Sequence, residues 1–320
     1  MKPKVVIALS IYKPNLKWLE ELLISLNNQT YQNIELLVWN DCPEDKYEYN
    51  KFFSKYIKNF KFYIKYGEKN LGVNGAFEEL TRWAEGDYIA YCDQDDIWMP
   101  EKIEKMLNMA SELKADLICC ELMLINESSN PLNKKITLDN KILNDKLFEY
   151  AIMHCLVNAC AMLVNLKLAK KSLPFPNIEK EYHDWWIGIY ASLYGKVVFV
   201  NEVLMKYRIY SNNTSGFYGL ADIYTKEDYC KKRILVFKKK INYVCYRFRD
   251  NINITNRIDE INRYSKLRYL WFSKPSIKVF INLIKLTYIN RRAVFFDFVF
   301  KFLPNSLFNV LINKIKKGSC

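Results

Sequence analysis

Three short clusters carry residue types that can do chemistry. The first is Asp93-Gln94-Asp95-Asp96, which directly follows the apolar run Asp87–Cys92. Asp93 and Asp95 stand two residues apart, so on an extended backbone both side chains lie on one side and can share a hard cation or its water shell. Three carboxylates this close repel and would titrate high without a cation. Magnesium or manganese suits an all-oxygen site that leaves positions for phosphate oxygens. Read as plain structure, the same run is a solvated loop with an N-cap for a helix starting near Met99. The second cluster is His183-Asp184-Trp185-Trp186. Aspartate beside histidine at a helix start is commonly a cap. The alternative makes Asp184 a general base facing a hydroxyl, with Trp185 and Trp186 as an apolar platform for a sugar ring. The third is Tyr207-Arg208-Ile209-Tyr210-Ser211-Asn212-Asn213, where Arg208 can offset the charge of a diphosphate.

The elements around these clusters alternate strand and helix. Val5–Leu9 is a continuous apolar run, as in a strand covered on both faces. Leu16–Leu26 shows helical spacing of leucines after Pro14-Asn15, and Ile34–Trp39 is a strand ending in Asn40-Asp41-Cys42-Pro43. Lys61–Tyr66 reads as a third strand, Val73–Glu85 as a helix ended by Gly86, and Asp87–Cys92 as a strand running into the acidic cluster. Met99–Leu113 follows as a helix and Asp116–Ile125 as a strand. A less regular half holds a strand at Ala159–Val164, a helix at Trp185–Tyr194 and a strand at Val197–Val200. This order predicts an α/β fold with a wound, mostly parallel sheet flanked by helices. Ligands in such sheets sit outside the carboxyl ends of the strands, so Ser10-Ile11-Tyr12, Asn40-Asp41 and Asp93–Asp96 should converge. Neither GxGxxG nor GxxxxGK[ST] occurs, which argues against a dinucleotide or P-loop site.

Charge divides the 320 residues unevenly. Residues 230–320 hold 21 basic against 4 acidic residues, a net of +17, while residues 1–229 hold 27 against 31, a net of −4. The expected organisation is a domain over 1–225 and a basic, aromatic-rich helical extension over 226–320. Within the extension Ile277, Phe280, Ile281, Ile284 and Tyr288 fall at helical spacing among lysines, a pattern that suits the surface of an anionic bilayer. A helical subdomain with a solvated basic face is the simpler alternative. Nucleic acid is not expected, since no binding motif accompanies the charge. No run of about 18 apolar residues suggests a transmembrane helix. The N-terminus reads as a buried strand, not a signal sequence. Nine scattered cysteines without a CxxC pair, beside only two histidines, fit small buried hydrophobes in a reducing cytosol better than zinc ligands or disulfides.

Taken together, these residues resemble family 2 glycosyltransferases of the GT-A fold, the bacterial rhamnosyltransferase-like members in particular. The resemblance covers about residues 3–216. It rests on Ala8-Leu9-Ser10-Ile11-Tyr12, Asn70-Leu71-Gly72-Val73-Asn74, and Gly86 through Trp98 with its DQDDIW run. It continues in His183-Asp184-Trp185-Trp186 and in Tyr207-Arg208, with Asn213 and Gly216 after them. It implies a nucleotide-sugar donor held by Ser10, Tyr12, Asp41, Asn74, Asp93 and Arg208, with Tyr12 near the base and Asp41 accepting from the base imide. Asp95 would be the principal ligand of a divalent metal (Mn2+ or Mg2+), assisted by Asp93, and Asp184 the catalytic base. Trp185 and Trp186 would meet the acceptor. The implied reaction is a single inverting displacement onto a hydroxyl of a cell-surface glycan or lipid-linked precursor, at the cytoplasmic face of the membrane. Rhamnose from dTDP-rhamnose is the first donor implied and a UDP-hexose the next. Two positions depart from the family pattern. Asn40-Asp41-Cys42-Pro43 replaces paired aspartates followed by serine, and Tyr210 stands where a histidine is usual. The second departure is what would favour a degenerate nucleotide-sugar-binding partner subunit. A sugar-1-phosphate nucleotidylyltransferase lacks its glycine-rich basic loop here.

Overall fold

A computed structural model describes residues 2–316 apart from 138, 157, 179–180, 211–221 and 252–253. The chain divides into two compact units, one of Met1–Asn177 with Glu181–Ser211 and one of Ile178–Lys180 with Asn212–Cys320.

The first unit opens with β1 (Val5–Ile11), α1 (Leu16–Asn27), β2 (Ile34–Asn40), α2 (Tyr49–Tyr56), β3 (Lys61–Tyr66) and α3 (Gly72–Trp83). It continues with β4 (Tyr88–Cys92), β5 (Ile97–Trp98), α4 (Lys102–Leu113), β6 (Leu117–Ile125), β7 (Pro131–Ile136) and α5 (Leu147–Met153). It ends in β8 (Met162–Asn165), α6 (Leu166–Lys171), α7 (His183–Tyr194) and β9 (Val197–Arg208). Residues Val5 to Leu9 are wholly buried, as expected for a central strand covered on both faces. The Asn15 side chain caps α1, accepting from the Lys17 and Trp18 amides at 3.0 and 3.4 Å, and Leu19, Leu22, Leu23 and Leu26 bury one face.

Strand order is β3-β2-β1-β4-β8-β6-β9-β5, with β7 beside β6. The run β3-β2-β1-β4 is parallel throughout. Beyond it the sheet is mixed: β8 runs antiparallel to both β4 and β6, while β6 and β9 are parallel. "Mostly parallel" therefore describes only the N-terminal half.

Two further differences affect the site. Helix α4 begins at Lys102 and not near Met99, because Ile97 and Trp98 pair antiparallel with Lys206 and Met205 of β9. Strand β9 is twelve residues long, and its far end carries Arg208 to the acidic turn.

The second unit is helical: α8 (Lys226–Tyr229), α9 (Leu235–Arg247), α10 (Thr255–Ser273), α11 (Ile277–Ile284), α12 (Arg291–Phe302) and α13 (Asn305–Lys316). Ile223, Tyr229, Ile234, Phe300, Phe308 and Ile312 form its core cluster. Asp297 is fully buried and receives Arg268 Nε at 2.5 Å and Tyr229 Oη at 2.9 Å. Among the described residues no helix is long and apolar enough to cross a membrane. The eight described cysteines are free thiols, and Cys320 lies outside the described residues.

Candidate active site

The parallel strands end side by side, and backbone bonds tie the ends together. Leu9 pairs with Cys92, so Ser10-Ile11-Tyr12 and Asp93-Gln94 leave the sheet as neighbours. Gln94 clasps this junction, accepting from the Tyr12 amide at 2.8 Å and donating to its carbonyl at 3.2 Å. The Asp41 amide donates to Ile11 O at 2.9 Å, closing the end of β2 onto β1. The three polar strand ends thus meet at one edge of the sheet. Lys13, the next residue out, holds a left-handed backbone (φ 44°), a cost usually borne at functional positions. Beyond it a cleft of about 390 Å³ is lined by Lys13, Cys42, Asp45, Tyr47 and Tyr49 among others.

The acidic cluster is a turn and not an extended strand end. The extended backbone that would set Asp93 and Asp95 on one side is therefore absent here, although the two carboxylates stay close enough to interact. A turn brings residues three apart together, and the ligand atoms that gather within 4.8 Å of one another belong to Asp93, Asp96 and Cys160. Asp93 still feels its neighbours. Its carboxyl is pushed up to about 7 by burial and then by the charges of Asp95 and Asp184. Asp95 is nearly buried and shifted upward by burial, an effect opposed by a hydrogen bond from the Tyr210 hydroxyl. Asp96 is wholly buried and held well above the carboxylate range, and its Oδ2 has no hydrogen-bond partner. Lys102, also buried, is committed to the Cys160 carbonyl at 2.5 Å and the face of Trp98.

This donor set fits a hard divalent cation. Crowded carboxylates with raised proton affinity and an orphaned oxygen are what a cation relieves. The Cys160 thiol is a poorer ligand, since burial keeps it protonated.

Asp184 sits in the first turn of α7, where its Oδ1 accepts the Trp185 amide at 2.7 Å. The Cys155 thiol and the Ala159 amide also donate to it, yet burial leaves its carboxyl raised to about 6. Beside it, Cys155 and Asn158 line a cavity of about 210 Å³ with Tyr150 and Asp139. His183 plays no polar part. It is packed among Phe77, Tyr91 and Phe175, and burial lowers its pKa to about 3, leaving a neutral ring.

Several residues singled out from sequence have a different place. Trp185 and Trp186 are 1% and 0% exposed, and the Trp186 indole donates to Ser172 O at 2.7 Å. They are core side chains with no face for a sugar, because α7 is apolar nearly all round and is buried on every side. Arg208 is also 0% exposed and turned inward, so it does not face a diphosphate. Its guanidinium pairs with Glu21 at 2.6 Å and donates to Asp95 O at 2.8 Å and Ser129 Oγ at 2.9 Å, fastening α1, the acidic turn and the β6–β7 loop. Asp41 is 3% exposed and faces its own chain: its oxygens accept Leu71 N, Gly72 N and the Trp39 indole. Gly72 carries φ 69°, so this tether holds a left-handed start to α3 that favours glycine. Asn74 Nδ2 bonds Pro176 O and Glu181 O, holding the approach to α7. Ser10 and the 45% exposed Tyr12 remain at the site's edge. Ser211, Asn212, Asn213 and Gly216 lie outside the described residues.

Gln94, Lys102, Cys155 and Cys160 were not read from sequence as site residues. Each is recognised by a partner 58 or more positions away or by a loop contact, which no local pattern records.

Removal of Arg208 tests its structural part. Arg208→Ala leaves Glu21 without its partner and three elements unfastened, and should cost about 3–5 kcal/mol in a denaturant melt. Arg208→Lys should recover little, since one ammonium cannot reproduce the planar fork.

A wound sheet whose parallel strands end at an acidic turn, with a further carboxylate on a nearby helix start, defines a GT-A-type glycosyltransferase. Residues 7–166 match the family described as glycosyl transferase family 2, half of the chain, and the protein belongs to that family. An uncharacterized glycosyltransferase of Methanocaldococcus jannaschii is 30% identical over 65% of this chain and 71% of its own length. One of Rickettsia typhi is 28% identical over 67% of this chain, and the match spans 66% of that relative. The Escherichia coli protein WfgD, named as a UDP-Glc:α-D-GlcNAc-diphosphoundecaprenol β-1,3-glucosyltransferase, is 26% identical over 60% of this chain and 72% of its own. Among solved structures, Staphylococcus aureus TarS 1–349 in complex with UDP-GlcNAc superposes with a TM-score of 0.57 at 15% identity. It covers 99% of this chain and 88% of that one, a likeness of fold.

Proposed function

We propose that the protein transfers a hexose, with inversion, from a nucleoside-diphosphate sugar to a hydroxyl of a lipid-linked or cell-surface glycan precursor, using Mn2+ or Mg2+. The observation that carries this reading is the acidic turn, where Asp93 and Asp96 bring carboxylate oxygens within 4.8 Å of each other and Asp95 and Asp184 stand close enough for their charges to raise Asp93. The cleft by Lys13, Tyr47 and Tyr49 takes the nucleoside, with Tyr12 at its edge. The cavity beside Cys155, Asn158 and Tyr150 takes the acceptor, next to Asp184. A UDP-hexose stands ahead of dTDP-rhamnose as donor, because the named relative WfgD and the TarS complex both concern UDP-sugars.

In the reaction the acceptor oxygen bonds to the anomeric carbon as the carbon–oxygen bond to the diphosphate breaks, and the electron pair leaves with the diphosphate. Asp184 takes the acceptor proton. With Arg208 committed inside the fold, no arginine among the described residues of this edge offsets the leaving charge. Asp93, Asp95 and Asp96 would hold the divalent ion, which supplies that compensation. The Tyr210 hydroxyl orients Asp95, a part that a histidine would play differently.

Two measurements test the reading. Slow donor hydrolysis, followed by NMR at early times, should release the sugar with the anomeric configuration opposite to the donor's. Retention would contradict the single displacement, and donor binding without any turnover would favour the degenerate partner that Tyr210 brings to mind. The second is a pH profile. A base must be deprotonated, and Asp184 is raised to about 6, so turnover should be flat above that value and fall about tenfold per unit as pH drops through it. A flat acid limb would remove Asp184 from the role.

A further inference from the structure

Helices α11 and α12 turn large apolar side chains outward. On α11, Ile277, Ile281 and Ile284 recur at helical spacing and are 74%, 49% and 46% exposed, and Tyr288 in the following turn is 64% exposed. On α12, Phe295 and Phe302 are 62% and 65% exposed. The rings of Phe280 and Phe298 meet at 5.1 Å and both pack on Trp271, so the two helices lie side by side and their outer faces adjoin. Such a concentration of exposed apolar groups marks a binding surface more often than a water-facing one.

The charges around it are predominantly positive. Lys274, Lys278, Lys285, Arg291 and Arg292 are all exposed. From residue 261 to the end of the chain the sole carboxylate side chain is Asp297, and it is buried against Arg268. The surface therefore presents apolar groups among an excess of cations, with the exposed Glu260, which accepts from the Tyr288 hydroxyl, as the carboxylate at its edge. A second copy of the same face would set these cations against one another. A nucleic acid would use the cations but leave the isoleucines in water. An anionic bilayer meets both features, since aliphatic and aromatic side chains enter the headgroup–acyl boundary while lysine and arginine bind the phosphates.

We infer that the α11–α12 face is a docking surface for an anionic lipid bilayer, holding the enzyme peripherally where a lipid-linked acceptor would be presented. The acceptor part rests on the function proposed above; the lipid contact does not. The test is co-sedimentation of the full chain with vesicles of phosphatidylglycerol and phosphatidylethanolamine, against vesicles of phosphatidylcholine. Binding should be strong to the first, weak to the second, and reduced by salt. Arg291→Gln with Arg292→Gln should weaken binding about 25-fold. Ile277→Ser with Phe302→Ser should weaken it about tenfold or more, including at salt that already screens the cations. Both pairs are surface changes and should keep the wild-type melt and donor binding.

Equal binding by wild type and both variants would overturn the inference, as would failure of the wild type to bind phosphatidylglycerol vesicles. Retention on duplex DNA without vesicle binding would assign the surface to nucleic acid. Loss of a dimer in the Ile277→Ser, Phe302→Ser variant, again without vesicle binding, would assign it to a second copy. Vesicle binding without any donor binding would refute the transferase reading and leave the docking surface standing.

Discussion

Asp184→Asn should lower sugar transfer about 10²–10⁴-fold while leaving donor affinity and melting temperature close to wild type. The two readings of Asp184, helix cap and general base, separate on this substitution. Asparagine keeps the side-chain oxygen that accepts the Trp185 amide, so the first turn of α7 retains its bond. What disappears is the carboxylate that would take the acceptor proton. A cap alone predicts unchanged turnover, whereas a base predicts a loss in kcat with a small change in the KM for donor. Steady-state kinetics at two acceptor concentrations, together with a thermal melt, decide between them.

The second large effect is expected at Asp95. Asp95→Ala should abolish the metal dependence of donor binding and lower turnover by about 10³-fold, the scale of several kcal/mol of leaving-group stabilisation. The same change should not destabilise the fold. Asp95 is one of three crowded carboxylates, buried with Asp96 beside the half-buried Asp93, whose protons bind too tightly, and removing its charge relieves Asp93 and Asp96. A variant that is inactive yet melts no lower than wild type is the signature of a site that costs stability to keep. An inactive variant that also melts several degrees lower would instead make Asp95 a structural residue. Donor titration with and without manganese, beside the melt, supplies both readings.

The N-terminal half of the sheet was legible because β1, β2 and β4 are largely apolar runs bounded by polar turns, and β3 interleaves lysines with apolar and aromatic residues. The strand expected at Lys61–Tyr66 has those same bounds in the structure, and the helix expected at Leu16–Leu26 ends one residue later, at Asn27. The convergence of the three strand ends followed from topology alone. What failed depended on distant partners. The acidic cluster turns because Ile97 and Trp98 pair with β9, more than a hundred positions on, and no local pattern announces a two-residue strand. Arg208 reads as an anion-binding cation from its neighbours, yet its carboxylate partner is Glu21, 187 positions earlier. The tryptophans of α7 look the same to a sequence reader whether they stack on a sugar or fill a core. Only the burial of the whole helix distinguishes them. In the extension, the spacing of Ile277, Ile281 and Ile284 was readable. The outward face of α12 was not, because five phenylalanines and two valines are spread around all sides of that helix and erase the periodicity.

The central claim, a nucleotide-sugar site built on Asp93–Asp96, is tested most directly by calorimetric titration of the full chain. The ligands are a panel of uridine and thymidine diphosphate sugars, each with and without manganese. The account predicts saturable binding of one donor, a UDP-hexose first, that strengthens with manganese and is lost in Asp95→Ala. Failure of every donor to bind, with and without metal, would contradict it.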